Sequence, residues 1–271
     1  MAFSPRAEAL LHEAKRISRR LGSKLVLIHA GEKNGSLEKR MKLMLSRVEI
    51  EQDQVEIIWE EGKPLDVLSE VCYRENIDLL VMGAIQNEDM LRYYIGSIAR
   101  RISRRPPCSL LLVTDPQKKS SKLNSVVVNG IDHPKTENTI LKTLDFSQAF
   151  EVNEVIIVEE VKSSKLKTRI DDNETLEKAF EEREIMRKAE NERMADFIRP
   201  LQEKVSSNII MKCIFGKEGY SIGHFAEVKN ADLLVMNSPD KKLGFLDRFF
   251  PHDLEYVLSD MPCDLMIVHP D

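Results

Sequence analysis

The stretch IDLLVMGAIQNEDMLRYYIGSIARRISRRPPCSLLLV, Ile77 to Val113, returns near the end of the chain as ADLLVMNSPDKKLGFLDRFFPHDLEYVLSDMPCDLMIV, Ala231 to Val268. Asp78 and Asp232 stand 154 residues apart, as do Met82 and Met236, while Cys108 and Cys263 stand 155 apart. One register therefore holds over the second part of both halves, and the chain is one unit built twice. In each copy the strands are apolar throughout and alternate with helical patterns. Such strands can be buried only in a parallel sheet covered on both faces, so the expected class is α/β with two tandem doubly wound sheets. The copy keeps both strands but has no glycine at the positions equivalent to Gly83 and Gly96.

The polar stretch Asp115 to Asn124 breaks both periodicities. It divides the chain into units at 1–116 and 123–271, with 117–122 as linker. The C-terminal unit carries an insertion, a long helix over 174–203, with Leu176, Ala179, Phe180, Met186, Ala189, Met194, Phe197 and Leu201 as one apolar stripe expected to pack on the sheet. That unit opens on a strand, SVVVNGID, before its first helix. The N-terminal unit begins MAFSP and has no counterpart to that strand.

A glycine just past a buried strand lets backbone amides approach a ligand, and a Gly-Ser pair opening a helix offers free amides, a hydroxyl and the positive end of a dipole. Gly83, then Gly96–Ser97, have this arrangement, although glycine after a strand also serves as a plain turn. Taken with the DLLVMG strand, the G-x-P helix start GKP at Gly62 to Pro64 and the closing PCSLLLV strand, the chain resembles the universal stress protein family over nearly all of 1–116 and 123–271. The resemblance implies a five-stranded sheet of order 3-2-1-4-5 in each half, of the adenine nucleotide alpha hydrolase-like type. It also implies ATP held at the carboxyl ends of the strands by a G-2x-G-9x-G-[ST] motif.

Carried over residue by residue, that motif is partial here. Gly83 fills its first position, Gln86 replaces its second glycine, and Gly96–Ser97 complete it. By resemblance the phosphates would lie against Gly83, Ala84, Gly96, Ile98 and the Ser97 hydroxyl, with Ala30 and Met82 flanking adenine. The family's aspartate at the end of strand one falls on Ala2, and the strand bearing it is missing. In the C-terminal half the aspartate is present as Asp132, but the degenerate second site has Asn237 and Asp240 for the glycines and Pro251–His252 for Gly-Ser. A carboxylate repels phosphate and proline removes an N–H, so ATP is expected in the N-terminal half only, and weakly.

Composition narrows the remaining classes. A net charge of −5 opposes nucleic-acid binding, and the run IARRISRRPP reads as the basic end of a helix. No run approaches the ~20 apolar residues of a membrane span, so no direct membrane insertion is expected and the chain reads as cytoplasmic. Four cysteines without CxxC spacing read as buried thiols, and no metal is expected. His29 reads as a core residue or a rim contact, His252 as a loop histidine, and Phe245, Leu246, Phe249 and Phe250 as bulk filling a vacated pocket or as a partner patch. The expected function is a non-enzymatic stress-type regulatory module, an intramolecular pseudo-dimer in which, as the resemblance implies, SLLLV and DLMIV pair as edge strands about a pseudo-twofold axis, and which is able to form a homodimer. The alternatives are a regulatory tail of, or partner to, a membrane transporter or sensor kinase, and a slow ATPase. The absent strand implies that the chain starts inside a longer parent, that a strand from elsewhere fills the gap, or that the first unit rearranges.

Overall fold

The computed structural model describes residues 3–86, 93–116, 122–162, 166–169, 171–203, 205–217, 219–239 and 250–270. In the N-terminal half, α1 (Ala7–Leu21) ends at Gly22, whose left-handed φ of 60° lets its own N–H donate to the Arg19 carbonyl and the Ser23 N–H to the Ser18 carbonyl. β1 (Leu25–Ala30), α2 (Gly35–Arg47, capped by the Asn34 side chain), β2 (Val55–Glu60) and α3 (Pro64–Arg74) follow. Pro64 sits at the first turn of α3, where its missing N–H costs nothing. Then come β3 (Leu79–Gly83), a small antiparallel pair β4 (Ile85–Gln86) and β5 (Tyr93–Tyr94), α4 (Ser97–Arg104) and β6 (Ser109–Val113).

The C-terminal half runs β7 (Ser125–Asn129), α5 (Thr136–Ala149), β8 (Glu154–Lys162), α6 (Asn173–Gln202), β9 (Asn208–Gly216), α7 (Tyr220–Val228), β10 (Leu233–Asn237), α8 (Phe250–Ser259) and β11 (Asp264–Val268). Its strands lie in the order β9-β8-β7-β10-β11, all parallel, which is the expected 3-2-1-4-5. The sheet does not stop there. β6 pairs antiparallel with β11, Leu112 opposite Leu265 and Leu110 opposite Ile267, and β3 pairs parallel with β6. The fourth and fifth strands of one half thus continue the sheet of the other, giving seven strands with a buried seam.

The two halves differ at the far end of the sheet. Among the described residues no strand lies between β1 and β3, and β1 and β2 form a separate two-stranded parallel sheet. Helices tie this fragment to the rest. On α1, Ala7 and Leu11 pack with Leu27 and Val55, while Ile17 and Leu10 pack with Leu111, Val113 and Val81. On the other face Val67, Val71 and Cys72 of α3 share one apolar cluster with Ile28 and Leu80.

One expectation about the inserted helix needs correction. Ala179, Met194 and Ile198 of α6 are buried, but Leu176, Phe180 and Ala189, placed in the packing stripe, are exposed, the first two at 37% and 54%. Length contributes to this: 30 helical residues span about 45 Å, whereas nine strand residues span about 30 Å, so the helix is longer than the strands beneath it.

Candidate nucleotide site

In the N-terminal half the motif residues gather at one end of the fold. Ala30 closes β1, Met82 and Gly83 close β3, and Gly96 is the N-cap of α4. Gly96 has extended backbone and no side-chain cap bond forms there, so the amides of the first turn, beginning with Ser97 and Ile98, lack intrahelical partners. Ser97 and Ile98 are exposed, and no acidic residue occupies that turn. Among the described residues, no acidic group neutralises the positive end of this helix.

Gly83 is informative for what does not require it. It pairs with Val113 in the sheet without a positive φ, and a Cβ there would meet only Leu10, at an ordinary 3.5 Å. Among the described residues neither backbone conformation nor packing demands glycine at this position. Ala84 is a correction: it is buried and its N–H donates to the Val113 carbonyl at 2.8 Å, so that amide is committed to the sheet. His29 packs its ring against Trp59 and Phe3, at 4.7 and 5.4 Å between centroids, which makes it part of an aromatic cluster on β1 and β2. Ala2 lies outside the described residues, as does the side chain of Gln86.

The same place in the C-terminal half is occupied by the chain itself. Asn237, which stands for Gly83, accepts from the Thr139 hydroxyl at 2.5 Å and donates to the Thr136 hydroxyl at 3.0 Å, tying the end of β10 to the first turns of α5. Thr136 in turn donates to the Ile131 carbonyl, and Lys135 Nζ donates to the carbonyls of Ser238 and Pro239 at 2.8 and 3.1 Å. The inserted helix adds a second closure. Arg193 reaches Glu159 at 2.7 Å and the Gly130 carbonyl at 3.2 Å, with Asp132 at 3.9 Å. Met194 Sδ lies 3.1 Å from where a Gly130 Cβ would stand. A third helix start is also taken: the buried Glu160 carboxylate accepts from the N–H groups of Gly219, Ser221 and Ile222 at 2.8 to 3.3 Å, neutralising the N-terminus of α7.

Asp132, expected to grip a base or ribose, is largely exposed beside Arg193. Asp240, Phe245, Leu246 and Phe249 lie outside the described residues, and of Phe250, Pro251 and His252 only the helical backbone of α8 is described. Sequence reasoning missed the Asn237 network, Arg193 and Glu160. A signal for the last two was present: Glu159 and Glu160 interrupt the apolar run of β8, and paired carboxylates inside a buried strand require partners. Among the described residues no group of three metal-type ligands occurs and no helix is long and apolar enough to cross a membrane.

Comparison with known proteins places these features. Residues 31–114 match the model of the universal stress protein family. A universal stress protein of Methanocaldococcus jannaschii is 32% identical over 59 residues, 22% of this chain and 35% of that protein, so the match spans about a third of its length. Two crystal structures align over essentially the whole chain. One, from Pseudomonas aeruginosa and carrying the same family name, has a TM-score of 0.67 at 14% identity, covering all of this chain and 90% of that one. The other, a universal stress protein of Archaeoglobus fulgidus, has a TM-score of 0.66 at 13% identity, covering 99% of this chain and 96% of that one. At such identity the likeness is one of fold.

Proposed function

We propose, from the match of residues 31–114 to the universal stress protein family, that the protein is a non-enzymatic, stress-type regulatory binding module in which any adenine nucleotide binds weakly and in the N-terminal half. One observation carries the reading: the asymmetry between Gly83 and Asn237, equivalent positions in two copies of one strand. The first leaves the backbone accessible beside the uncapped start of α4, and the second ties the backbone to Thr136 and Thr139. A triphosphate needs amides without side chains over them, a condition supported at Gly83, Gly96 and Ser97 and opposed at Asn237. The non-enzymatic part of the proposal rests on chemistry: neither general base nor metal-binding carboxylate is assigned to the motif residues themselves.

Calorimetric titration of the intact chain with ATP, ADP and AMP tests this reading. Expected are no more than one weak site, its loss in Gly96→Asp, and an unchanged isotherm in Asn237→Ala. Tight ATP binding that survives Gly96→Asp would refute the assignment. Phosphate release from ATP is expected at the same background rate for the parent and Ser97→Ala; a rate that falls in the variant would make the protein a slow ATPase.

A further inference from the structure

From a comparison of the two copies we infer that Cys72 and Cys108 form an oxidation site, a pair of thiols that hydrogen peroxide converts to an intramolecular disulfide. The 154-residue offset that relates Asp78 to Asp232 sets Cys72 on Ala226. The backbone confirms the match. The Ile77 N–H donates to the Cys72 carbonyl at 2.9 Å and the Ala231 N–H to the Ala226 carbonyl at 2.9 Å, and Asn76 and Asn230 share a left-handed φ of 49°. Cys108 corresponds to Cys263, and each of these sulfurs is hydrogen-bonded to the backbone of the equivalent strand residue, Leu80 or Leu234. One thiol is therefore held in the same way in both units. Only the first unit has a second sulfur, at the place where the second unit has a methyl group.

The two sulfurs of the first unit meet. Cys72 lies in the last turn of α3 and Cys108 just before β6, and their thiols are hydrogen-bonded to each other. Both belong to the apolar cluster that includes Val71, Leu80, Ala99 and Ile102, and they are 2% and 7% exposed. They lie close under the surface, since residues 73–76, directly after Cys72, are all exposed. A terminal helical turn also opens more readily than the core, which gives a molecule as small as hydrogen peroxide its access. The pair is not part of a metal centre: among the described residues no group of three metal-type ligands occurs.

The contact also divides the chemistry between the two thiols. The hydrogen bond from Cys108 holds the Cys72 thiol below its ordinary value, whereas the same bond, followed by burial, pushes Cys108 up. Cys72 is thus the thiolate that attacks and Cys108 the thiol that resolves. In the first step the Cys72 sulfur bonds one peroxide oxygen and the O–O bond breaks. The departing hydroxide takes the proton released by Cys72 and leaves as water. In the second step the Cys108 sulfur attacks the sulfenic sulfur, the S–O bond breaks, and hydroxide leaves with the Cys108 proton as a second water. Two thiols and one hydrogen peroxide give one disulfide and two waters, the sulfurs losing the two electrons that the peroxide gains. The sulfurs have only to close from hydrogen-bond range to about 2.0 Å. The ring so closed encloses β3, β4, β5 and α4, and ties the end of α3 to the entry of β6. This inference stands apart from the nucleotide reading, because neither sulfur belongs to the motif.

The test uses the whole chain, fully reduced and then exposed to a small molar excess of hydrogen peroxide. After quenching with catalase, the protein is alkylated in denaturant and mapped by mass spectrometry. Expected are a loss of two hydrogen atoms, a Cys72–Cys108 linked peptide that dithiothreitol releases, and full alkylation of Cys213 and Cys263. Oxidation should raise Tm by about 5–10 °C, reversibly. Cys72→Ala installs the residue that the second unit carries in this place, so the fold is kept; its Cys108 should stay as alkylatable as Cys263, and its Tm should not respond to peroxide. Four results would overturn the inference: four alkylated thiols in the treated parent, sulfinic acid at Cys72 or Cys108 without a cross-link, a cross-link to Cys213 or to a second chain, or a Cys72–Cys108 link that forms only when urea is added. Gly96→Asp is expected to leave the cross-link intact, so failure of the nucleotide reading and failure of this one are separable.

Discussion

Asp264 opens β11 at the seam between the two units, and replacing it by asparagine is expected to stabilise the protein at neutral pH. Its carboxylate accepts the N–H and the hydroxyl of Thr114, both at 2.8 Å. It lines a small cavity with Glu13 and Arg16, a pair joined by bonds of 2.7 and 3.0 Å. Burial outweighs the Thr114 hydrogen bonds, and with the charge of Glu13 it pushes the Asp264 carboxyl from its ordinary 3.8 up to about 6, against the opposing pull of Arg16. The folded state therefore binds this proton more tightly than the unfolded chain does. Ionisation costs the fold nothing below about pH 4, an increasing amount from about 4 to 6, and the full amount above about 6. A rise of about two pH units corresponds to about 3 kcal/mol, which partial exposure of the residue reduces to about 2 kcal/mol. The asparagine side chain of Asp264→Asn keeps an acceptor for Thr114 and carries no charge. Urea unfolding of the parent and Asp264→Asn from about pH 4 to 8 should give coincident stabilities at the acid end. The variant should then gain through about pH 4 to 6 and hold an advantage of about 2 kcal/mol, about 4 °C in Tm, at about pH 7.5. A difference that does not vary with pH, or a variant less stable at neutral than at acid pH relative to the parent, would refute the reasoning.

Three further outcomes follow from the closed C-terminal site. Asn237→Ala removes one partner from each of two threonine hydroxyls and is expected to cost about 1–2 kcal/mol in denaturant unfolding. Arg193→Ala removes the guanidinium paired with the buried Glu159 and should destabilise by about 1–3 kcal/mol, with part of the loss recovered by the double variant Arg193→Ala/Glu159→Gln; a double variant no better than the single one would contradict the pairing. Glu160→Ala takes away the acceptor for three amides at the start of α7, and an expected loss of about 1–2 kcal/mol should be accompanied by faster amide exchange confined to α7.

Periodicity and duplication determined a good deal unaided. Continuous apolar runs such as Val126–Val127–Val128 and Leu233–Leu234–Val235 can be hidden only inside a parallel sheet, so the class followed from burial alone, without any distant contact being known. The partial motif was legible for a similar reason, since glycine at positions 83 and 96 is a local property of the backbone. What occupies the space left by a lost glycine is not local. Asn237 reads in sequence as a degraded motif residue, and only the approach of α5 turns it into a clasp on Thr136 and Thr139. Arg193 lies 61 residues from Asp132 along the chain and meets it because α6 folds back over β8. The pairing of β6 with β11 across the seam followed the expectation drawn from the resemblance, whereas the division among the described residues into β1-β2 and a seven-stranded sheet was decided by long-range hydrogen bonding. Which strand edges stay apart after folding depends on distant contacts, and a linear pattern of side chains does not specify that.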